Sequence, residues 1–293
     1  MTLLRAGEKA HVGETGVATL PAIDRLNAAK AWIFDMDGVL YRGNAPLPGV
    51  GDLFATLQLR NIPFRLATNN STLTPEQYVK KLEKMDLDVP AEWIVTSGVA
   101  TREYLLTRFP KGSAIYVVGE PALFEQLFLT DDLVQANGTD LQAAAVVTGL
   151  DREFTYAKLS EAHNQIQHGA TFIATNSDVT LPTEHGLEPG CGSILAAIAA
   201  STGVTPACVG KPETLLFDMI SRQLDVRPSD IVSVGDRLDT DIVAGSRAGT
   251  LAILVLTGVS TRADITHAEA RPDLVFTDLN AVLAALQSPV NDS

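Results

Sequence analysis

The chain has 293 residues, of which 46% are hydrophobic and 19% charged, which excludes a disordered chain and suits about two domains. The formal net charge of −13 argues against a general nucleic-acid or anionic-membrane surface, because phosphate groups attract basic faces. Two cysteines, Cys191 and Cys208, cannot build a disulfide framework and fit a reducing compartment. Without a secretory pattern or an apolar run of bilayer length, we expect a cytoplasmic protein with no membrane partner.

Short apolar runs alternate with helical patterns along the first part of the chain. Residues 1–28 show little of the residue pattern of a strand or a helix, and we expect them to form a loosely held arm. The expected elements that follow are strand AWIF (31–34), helix 49–60, strand PFRLA (63–67), helix 74–86 with Thr74 and Pro75 as cap and first turn, strand WIVTS (93–97) and helix 98–109. This alternation is typical of a parallel sheet covered by helices.

The same alternation continues to the end of the chain. The further expected strands are 113–119, 143–149, 171–175, 207–210, 231–235, 251–256 and 273–276, with helices over 121–129, 154–168, 191–202, 212–224, 239–248 and 278–287. This number of strands and helices is larger than a single sheet with its covering helices usually contains. We therefore predict an α/β fold with a doubly wound, Rossmann-like parallel-sheet core (1–110 plus 207–293) and an inserted second α/β domain (111–206).

The segment FDMDGVLYRG (34–43) places two carboxylates directly after an apolar strand. Ligand sites in open α/β sheets lie at the carboxyl ends of strands, so Asp35 fits a nucleophile or a metal ligand there. Asp37 would begin the following turn, where Gly38 permits backbone geometry that a side chain would forbid. A plain Asp-Gly turn on the surface explains this segment equally well when it is taken alone.

Three other strand exits carry polar side chains. Thr68, Asn69 and Asn70 follow the second strand, where they could bind an anion or simply cap the next helix. Lys211 follows the strand predicted at 207–210, and its ordinary alternative is a solvated lysine. Asp236 follows the strand at 231–235, with Asp239 and Asp241 close behind, and an acidic first helical turn is the alternative.

The residues that follow the carboxyl ends of these four strands are, in chain order, a carboxylate, a hydroxyl, a cation and a carboxylate. Asp35, Asp37, Asp236 and Asp241 would repel one another and raise each other's pKa if they met. A divalent cation relieves that repulsion, and hard oxygen ligands with a substrate phosphate suit Mg²⁺. Lys211 would add a second positive group, so that a phosphate could enter an acidic protein.

The order DMDGV, ATNN, GKP and GDRLDTD resembles the haloacid dehalogenase superfamily of aspartyl-phosphate phosphatases. The residues of these motifs and the long sequence separation between Thr68 and Lys211 resemble those of one branch of the superfamily. That branch has a large α/β cap and includes 4-nitrophenylphosphatase-like enzymes. The resemblance covers nearly the whole chain from about residue 30 onward. It implies a phosphatase that acts on a small-molecule phosphate ester, with Mg²⁺ as cofactor.

The resemblance also implies a role for each matching residue. Asp35 would attack phosphorus and become a phosphoaspartate, and Asp37 would protonate the leaving alcohol and later deprotonate the attacking water. Substrate contacts would come from Thr68, Lys211, Asn69 and Asn70, and the metal ligands would be Asp35, the backbone carbonyl of Asp37 and Asp236. Asp241 would orient Lys211 or a metal-bound water.

The inserted domain would act as the cap that covers the site and selects the leaving group. Its segment ATNSDVTLPTEHGLEPGCGS (174–193) is rich in turn and polar residues, and Asn176, Asp178, His185 and Glu188 are candidates for contact with the substrate. The segments RLATNNS (65–71) and FIATNSD (172–178) both place Ala-Thr-Asn at a strand exit, and we read the second copy as ordinary turn residues. A homodimer through the cap is implied by the resemblance only.

Two other functions stay open at this point. A phosphotransferase or mutase of the same superfamily would use an alcohol in place of water. A non-catalytic phospho-acceptor or ligand-binding module would need only Asp35, although a second carboxylate two residues later argues for turnover.

Overall fold

The computed structural model describes residues 21–137, 141–183 and 186–287, and two parallel sheets dominate it. The strands are β1 (Ala31–Phe34), β2 (Tyr41–Arg42), β3 (Ala45–Pro46), β4 (Phe64–Thr68), β5 (Ile94–Thr96), β6 (Ser113–Val118), β7 (Leu133–Gln135), β8 (Ala145–Thr148), β9 (Thr171–Ala174), β10 (Thr180–Thr183), β11 (Gly186–Pro189), β12 (Ala207–Cys208), β13 (Ile231–Gly235), β14 (Leu251–Val255) and β15 (Leu274–Phe276). The α-helices are α1 (Ala22–Asn27), α2 (Val50–Leu59), α3 (Pro75–Glu83), α4 (Ser97–Arg108), α5 (Pro121–Leu127), α6 (Tyr156–Gln167), α7 (Cys191–Thr202), α8 (Leu215–Leu224), α9 (Val243–Ala248) and α10 (Leu279–Gln287). Within the described ranges, no helix combines the length and the hydropathy that a bilayer crossing requires.

Six strands in the order β15-β14-β13-β1-β4-β5 form the core sheet, and every neighbouring pair is parallel. From β1 the chain first adds β4 and β5 on one side, and it later returns to add β13, β14 and β15 on the other. This is the doubly wound arrangement expected from the sequence, so the fold class is confirmed. The carboxyl ends of β1, β4 and β13 lie side by side at one edge, where ligands of such sheets bind.

β1 is buried on both faces, which explains why its sequence AWIF is apolar at every position instead of alternating. Trp32 and Phe34 belong to an apolar cluster with residues of α2, α3 and α10. Ala31 and Ile33 belong to a second cluster with residues of α4 and α8. Because burying a large apolar side chain is worth about 1.5–3 kcal/mol, this strand gives the residue that follows it, Asp35, a firmly held position.

Five strands in the order β12-β9-β8-β6-β7 form the second sheet, which is also parallel. The prediction that residues 207–210 form a strand of the core is wrong, because Ala207 and Cys208 pair with Ile173 and Ala174 of this second sheet. The chain re-enters the core only after this pair, so the sequence places that boundary slightly too early. A two-residue apolar strand suits either sheet, and only tertiary pairing decides between them.

Four further features differ from the sequence prediction. The arm expected over 1–28 includes α1, whose Leu26 is fully buried against the core, while residues 1–20 lie outside the described part. The hairpins β2–β3 and β10–β11 and the edge strand β7 were not predicted. All three are short and mostly exposed, so they lack the apolar pattern by which strands are recognised in a sequence.

Candidate active site

A cleft of about 1190 Å³ lies at the carboxyl edge of the core sheet, and residues of the second α/β domain close its other side. Nearly all the site residues predicted from the sequence line it. They are Asp35, Asp37, Gly38, Thr68, Asn69, Asn70, Asn176, Lys211, Asp236 and Asp241. Segments that are distant in sequence therefore meet in one place, as the sequence prediction requires.

Lys211 lines this cleft and is almost completely buried. Its ammonium group forms ion pairs with the carboxylates of Asp35 and Asp241, the second at 2.8 Å, and it donates a hydrogen bond of 3.0 Å to the carbonyl oxygen of Ala67. Burial alone would lower the pKa of Lys211, but the carboxylates of Asp241 and Asp35 outweigh it and raise the pKa. The lysine is therefore a fixed positive charge in the site.

Three carboxylates converge beside this lysine. Oxygen atoms of Asp35, Asp236 and Asp241 all lie within 4.8 Å of one another. Burial raises the pKa of Asp35 well above its ordinary value, and Asp241 and Asp236 raise it further while Lys211 lowers it. Burial and the neighbouring Asp241 raise the pKa of Asp236 to about 7. One ammonium group does not neutralise three buried carboxylates, so the cluster is short of positive charge.

Glycines make room for the Asp236 side chain. Its Oδ2 accepts a hydrogen bond of 2.7 Å from the backbone N–H of Val259. A Cβ atom at Gly38 would lie 2.6 Å from this oxygen, and one at Gly258 would lie 1.8 Å from it. Gly38 also has a φ of +83°, which side-chain-bearing residues rarely adopt. The two glycines are thus required for the carboxylate to reach the site, and Gly258 was not predicted.

Asp37 lies at the mouth of the same cleft, with its side chain exposed to the solvent. The neighbouring protein atoms partly exclude water from the carboxyl group, and this desolvation raises the pKa of Asp37, although the positive charges of Lys81 and Arg42 oppose the shift. The ammonium of Lys81 lies over the ring of Tyr41 at 3.9 Å from its centre. A carboxyl group with a raised pKa that is open to solvent can exchange a proton with a bound molecule.

Thr68 ends β4, is buried and lines the same cleft as Asp35. Its side chain accepts the backbone N–H of Asn70 at 3.2 Å and hydrogen-bonds the fully buried Tyr78 of α3. The Oδ1 of Asn70 accepts the backbone N–H of Thr72 at 2.8 Å. The side chain of Asn70 therefore shapes the turn that leads into α3, while Thr68 keeps its place at the edge of the sheet.

Asn69 makes contacts that the sequence does not predict. Its Oδ1 accepts the backbone N–H of Lys211 at 2.7 Å, and its Nδ2 donates to the backbone carbonyl of Lys211 at 2.8 Å. The same Nδ2 donates to Asp178 at 3.1 Å. An amide nitrogen has two hydrogens, so both are used by protein partners. Asn69 was expected to contact the substrate, but in the structure its amide holds the lysine backbone.

The second domain contributes Asn176 and Asp178 to the cleft. Asp178 accepts a hydrogen bond of 2.7 Å from Asn176, and it forms an ion pair of 3.5 Å with Arg237 of the core. Glu188 was a candidate for substrate contact, but it is exposed on β11 and does not line the cleft. The fourth candidate, His185, lies outside the described residues.

Comparisons with known proteins agree with this geometry. Residues 32–131 match a family described as haloacid dehalogenase-like hydrolase, and residues 208–282 match one described as HAD-hydrolase-like. An acid sugar phosphatase from Staphylococcus aureus is 39% identical over 258 residues, which cover 88% of this chain and 98% of the relative. The chain belongs to the haloacid dehalogenase-like hydrolases.

Solved structures of phosphatases are similar over most of this chain. A 4-nitrophenylphosphatase from Thermotoga maritima is 39% identical, with a TM-score of 0.84 and coverage of 90% of this chain and 99% of that one. A glycerol phosphate phosphatase from Mycobacterium tuberculosis, in complex with magnesium, is 31% identical, with a TM-score of 0.82 and coverage of 88% and 77%. The resemblance drawn from the four sequence motifs is thereby confirmed.

The residues of the cleft that the sequence analysis missed include Tyr78, Lys81, Arg237 and Gly258. Tyr78 and Lys81 lie three positions apart on α3, and this i, i+3 spacing puts both on one helical face. That spacing is the only sequence signal that could have pointed to them. Nothing in the sequence indicates that this face turns towards the cleft.

Proposed function

We propose that this protein is a magnesium-dependent phosphatase that hydrolyses a small phosphomonoester through a phosphoaspartate on Asp35. The observation that carries the proposal is the convergence of Asp35, Lys211 and two further carboxylates at the carboxyl edge of the core sheet. A nucleophile, a fixed cation and an under-neutralised acidic cluster are the parts that phosphoryl transfer needs, because its catalysis rests on positioning and charge stabilisation.

The donor set of the cleft fits Mg²⁺. Asp35, Asp236 and the backbone carbonyl of Asp37 would hold the ion, and all of these donors are hard oxygens. Asp241 pairs with Lys211 through Oδ1 and accepts the backbone N–H groups of Asp236 and Arg237 through Oδ2, so both of its oxygens already have protein partners. When bound, Mg²⁺ supplies charge neutralisation for the carboxylates and for the incoming phosphate. The related phosphatase from M. tuberculosis was solved with magnesium and also with calcium, which supports a divalent cation here.

In the proposed reaction a carboxylate oxygen of Asp35 forms a bond to phosphorus while the bond to the leaving alcohol breaks. Asp37 gives its proton to the departing oxygen, and its raised pKa keeps that proton available. Asp37 then takes a proton from water, which attacks phosphorus, releases phosphate and regenerates Asp35. The ammonium of Lys211 pairs with Asp35, and Thr68 lines the same cleft, so both can stabilise the charge of the transferring group.

The second domain limits the substrate to small molecules, because its residues close one side of the cleft. The relatives are named for sugar phosphates, 4-nitrophenyl phosphate and glycerol phosphate, and all three are small monoesters. We infer a substrate of this class. The residue bounds of the core and the cap, a homodimer through the cap and a cytoplasmic location stay predictions.

The proposal is tested with purified protein, a panel of small phosphomonoesters, and Mg²⁺ or chelator. We expect phosphate to be released only when the divalent ion is present. The Asp37→Asn variant should react slowly and accumulate the phosphoenzyme, which mass spectrometry detects. Added glycerol as an acceptor separates a hydrolase from a phosphotransferase, since the latter would form new esters in preference to free phosphate. Wild-type protein that neither releases phosphate nor forms new esters from any substrate would leave only a binding module.

A further inference from the structure

Asp178 is a cap residue whose carboxylate contacts the core at two places. Its Oδ2 accepts from Nδ2 of Asn69 at 3.1 Å, and its Oδ1 lies 3.5 Å from Nη1 of Arg237. Within the cap, Oδ2 also accepts from Asn176 at 2.7 Å, and Asn176 accepts from Thr175 at 3.0 Å. The side chain is mostly buried, with 18% of its surface exposed, so water replaces these partners poorly.

We propose that Asp178 is a positioning residue that fixes the Asn69 amide and thereby sets the backbone of Lys211. This inference rests on the proposed function of the cleft, and it assigns Asp178 a task other than contact with the substrate. A carboxylate only accepts hydrogen bonds, so Asp178 selects the amide orientation of Asn69 that turns Nδ2 towards it. In that orientation Oδ1 faces the N–H of Lys211, and the second hydrogen of Nδ2 faces the lysine carbonyl.

The opposite orientation of the amide would destroy all of these contacts. Nδ2 would face the N–H of Lys211, and Oδ1 would face both the lysine carbonyl and the Asp178 carboxylate. Two acceptors or two donors would then oppose each other at each place, and a buried polar group left without a hydrogen-bond partner is destabilising. Asp178 is thus the cap residue on which the docking of the lysine backbone depends.

Arg237 explains how a carboxylate is kept at this position. Arg237 forms ion pairs with Asp178 and, at 2.8 Å, with the exposed Asp239. It immediately follows Asp236, so the arginine ties the cap carboxylate to the carboxyl end of β13. The link therefore joins the cap to two core strand exits, one after β4 and one after β13.

The test compares Asp178→Ala, Asp178→Asn and Asn69→Ala, with Asp239→Asn as the matched control. Asp239→Asn removes the other carboxylate of the same arginine without changing the link to Asn69, and we expect at most a twofold change. Asp178→Ala should lower kcat by about 10- to 100-fold, since small displacements of catalytic groups have effects of this size. Asp178→Asn keeps an oxygen that can accept from Asn69, so its loss should be smaller than that of Asp178→Ala.

Two kinetic results separate positioning from substrate contact. The loss in Asp178→Ala should appear in kcat, with little change in KM, and by the same factor for 4-nitrophenyl phosphate and glycerol phosphate. The double variant Asp178→Ala/Asn69→Ala should lose no more than Asn69→Ala alone, because both changes break the same link. Losses that multiply in the double variant, or that differ between the two substrates, overturn the proposal.

Hydrogen exchange gives a readout that needs no activity. The peptide around Lys211 contains the N–H that Asn69 accepts. Its exchange should be faster in Asp178→Ala and unchanged in Asp239→Asn. Unchanged exchange in Asp178→Ala overturns the link even if the enzyme is active, whereas an inactive wild-type protein with the expected exchange pattern contradicts only the proposed function.

Discussion

Two aspartate–lysine pairs lie near the carboxyl ends of the central strands of the two parallel sheets. In the cap, Asp151 follows β8 and pairs with Lys158 at 2.7 Å, and its other oxygen accepts the N–H of Glu153 at 2.9 Å. In the core, Asp35 directly follows β1 and pairs with Lys211, which also binds Asp241. Both aspartates are largely shielded from water, yet in the described part of the chain it is Asp35 that has carboxylate oxygens of two other residues within 4.8 Å.

The difference shows which buried charges are structural and which await a ligand. Each oxygen of Asp151 has its own protein partner, so the cap pair is complete without any added ion. In the core one lysine is shared by two carboxylates, and a third carboxylate, Asp236, lies within reach. Position at a strand exit and pairing with lysine are therefore insufficient for a catalytic site, and the excess of negative charge is what distinguishes it.

The strongest test of this comparison replaces one aspartate of each pair by asparagine. Asp35→Asn should lower kcat on the order of 10³-fold or more, because the amide cannot act as the nucleophile. Asp151→Asn should keep activity within a few fold and lower stability by about 1–3 kcal/mol, since it leaves a half-exposed lysine unpaired. Phosphate release and urea unfolding measure the two effects. Comparable activity in both variants would remove the distinction between the pairs.

A second test addresses the missing positive charge. Mg²⁺ should stabilise the wild-type protein against thermal unfolding, by about 2.7 kcal/mol at a concentration of 100 times its Kd. Asp151→Asn should show the same stabilisation. Asp236→Asn should show little of it, because a ligand of the ion is lost. If Asp236→Asn responds to Mg²⁺ as the wild type does, the ion binds elsewhere.

The smallest expected effect is a pH dependence of the metal-free protein. Burial and Asp241 raise the pKa of Asp236 to about 7, well above its value of about 3.9 in an unfolded chain. Between these values the folded protein binds the proton more tightly, so this group's contribution to stability falls as the pH rises from about 4 to about 7. Urea unfolding of the metal-free protein should give a lower free energy of unfolding at pH 8 than at pH 5, and Asp236→Asn should reduce this difference. An equal difference in the two proteins would exclude Asp236 as the cause of the pH dependence.

Strong local signals made much of the fold predictable. Thr74 and Pro75 have the residue types of a helix start, and the structure has the full capping box, with Thr74 and Gln77 bonding each other's backbone N–H. β1 is apolar at every position, as a strand of a covered parallel sheet should be. These features depend on neighbours in sequence, so no tertiary information is needed to recognise them.

The features that could not be predicted from the sequence depend on contacts between distant segments of the chain. The sheet to which Ala207 and Cys208 belong is decided by pairing with β9, which short apolar strands do not encode. The use of the Asn69 amide by Lys211 depends on a segment far along the chain. Asn176 was a candidate for contact with the substrate and lines the cleft, but its hydrogen bond to Asp178 was not predicted. In each case the residue type was noticed but its partner could not be known.

The short strand β12 has a practical consequence for engineering. Only Val209 and Gly210 separate this strand from Lys211, and their backbone N–H groups donate to Ala174 and Thr175 of the cap at 3.0 Å and 2.9 Å. At the other junction, Pro110 and Lys111 lie far from the lysine in sequence. A chimera that exchanges specificity between related enzymes should therefore be spliced freely near residue 110, whereas at the second crossover β9 and β12 should be transplanted together from the same parent.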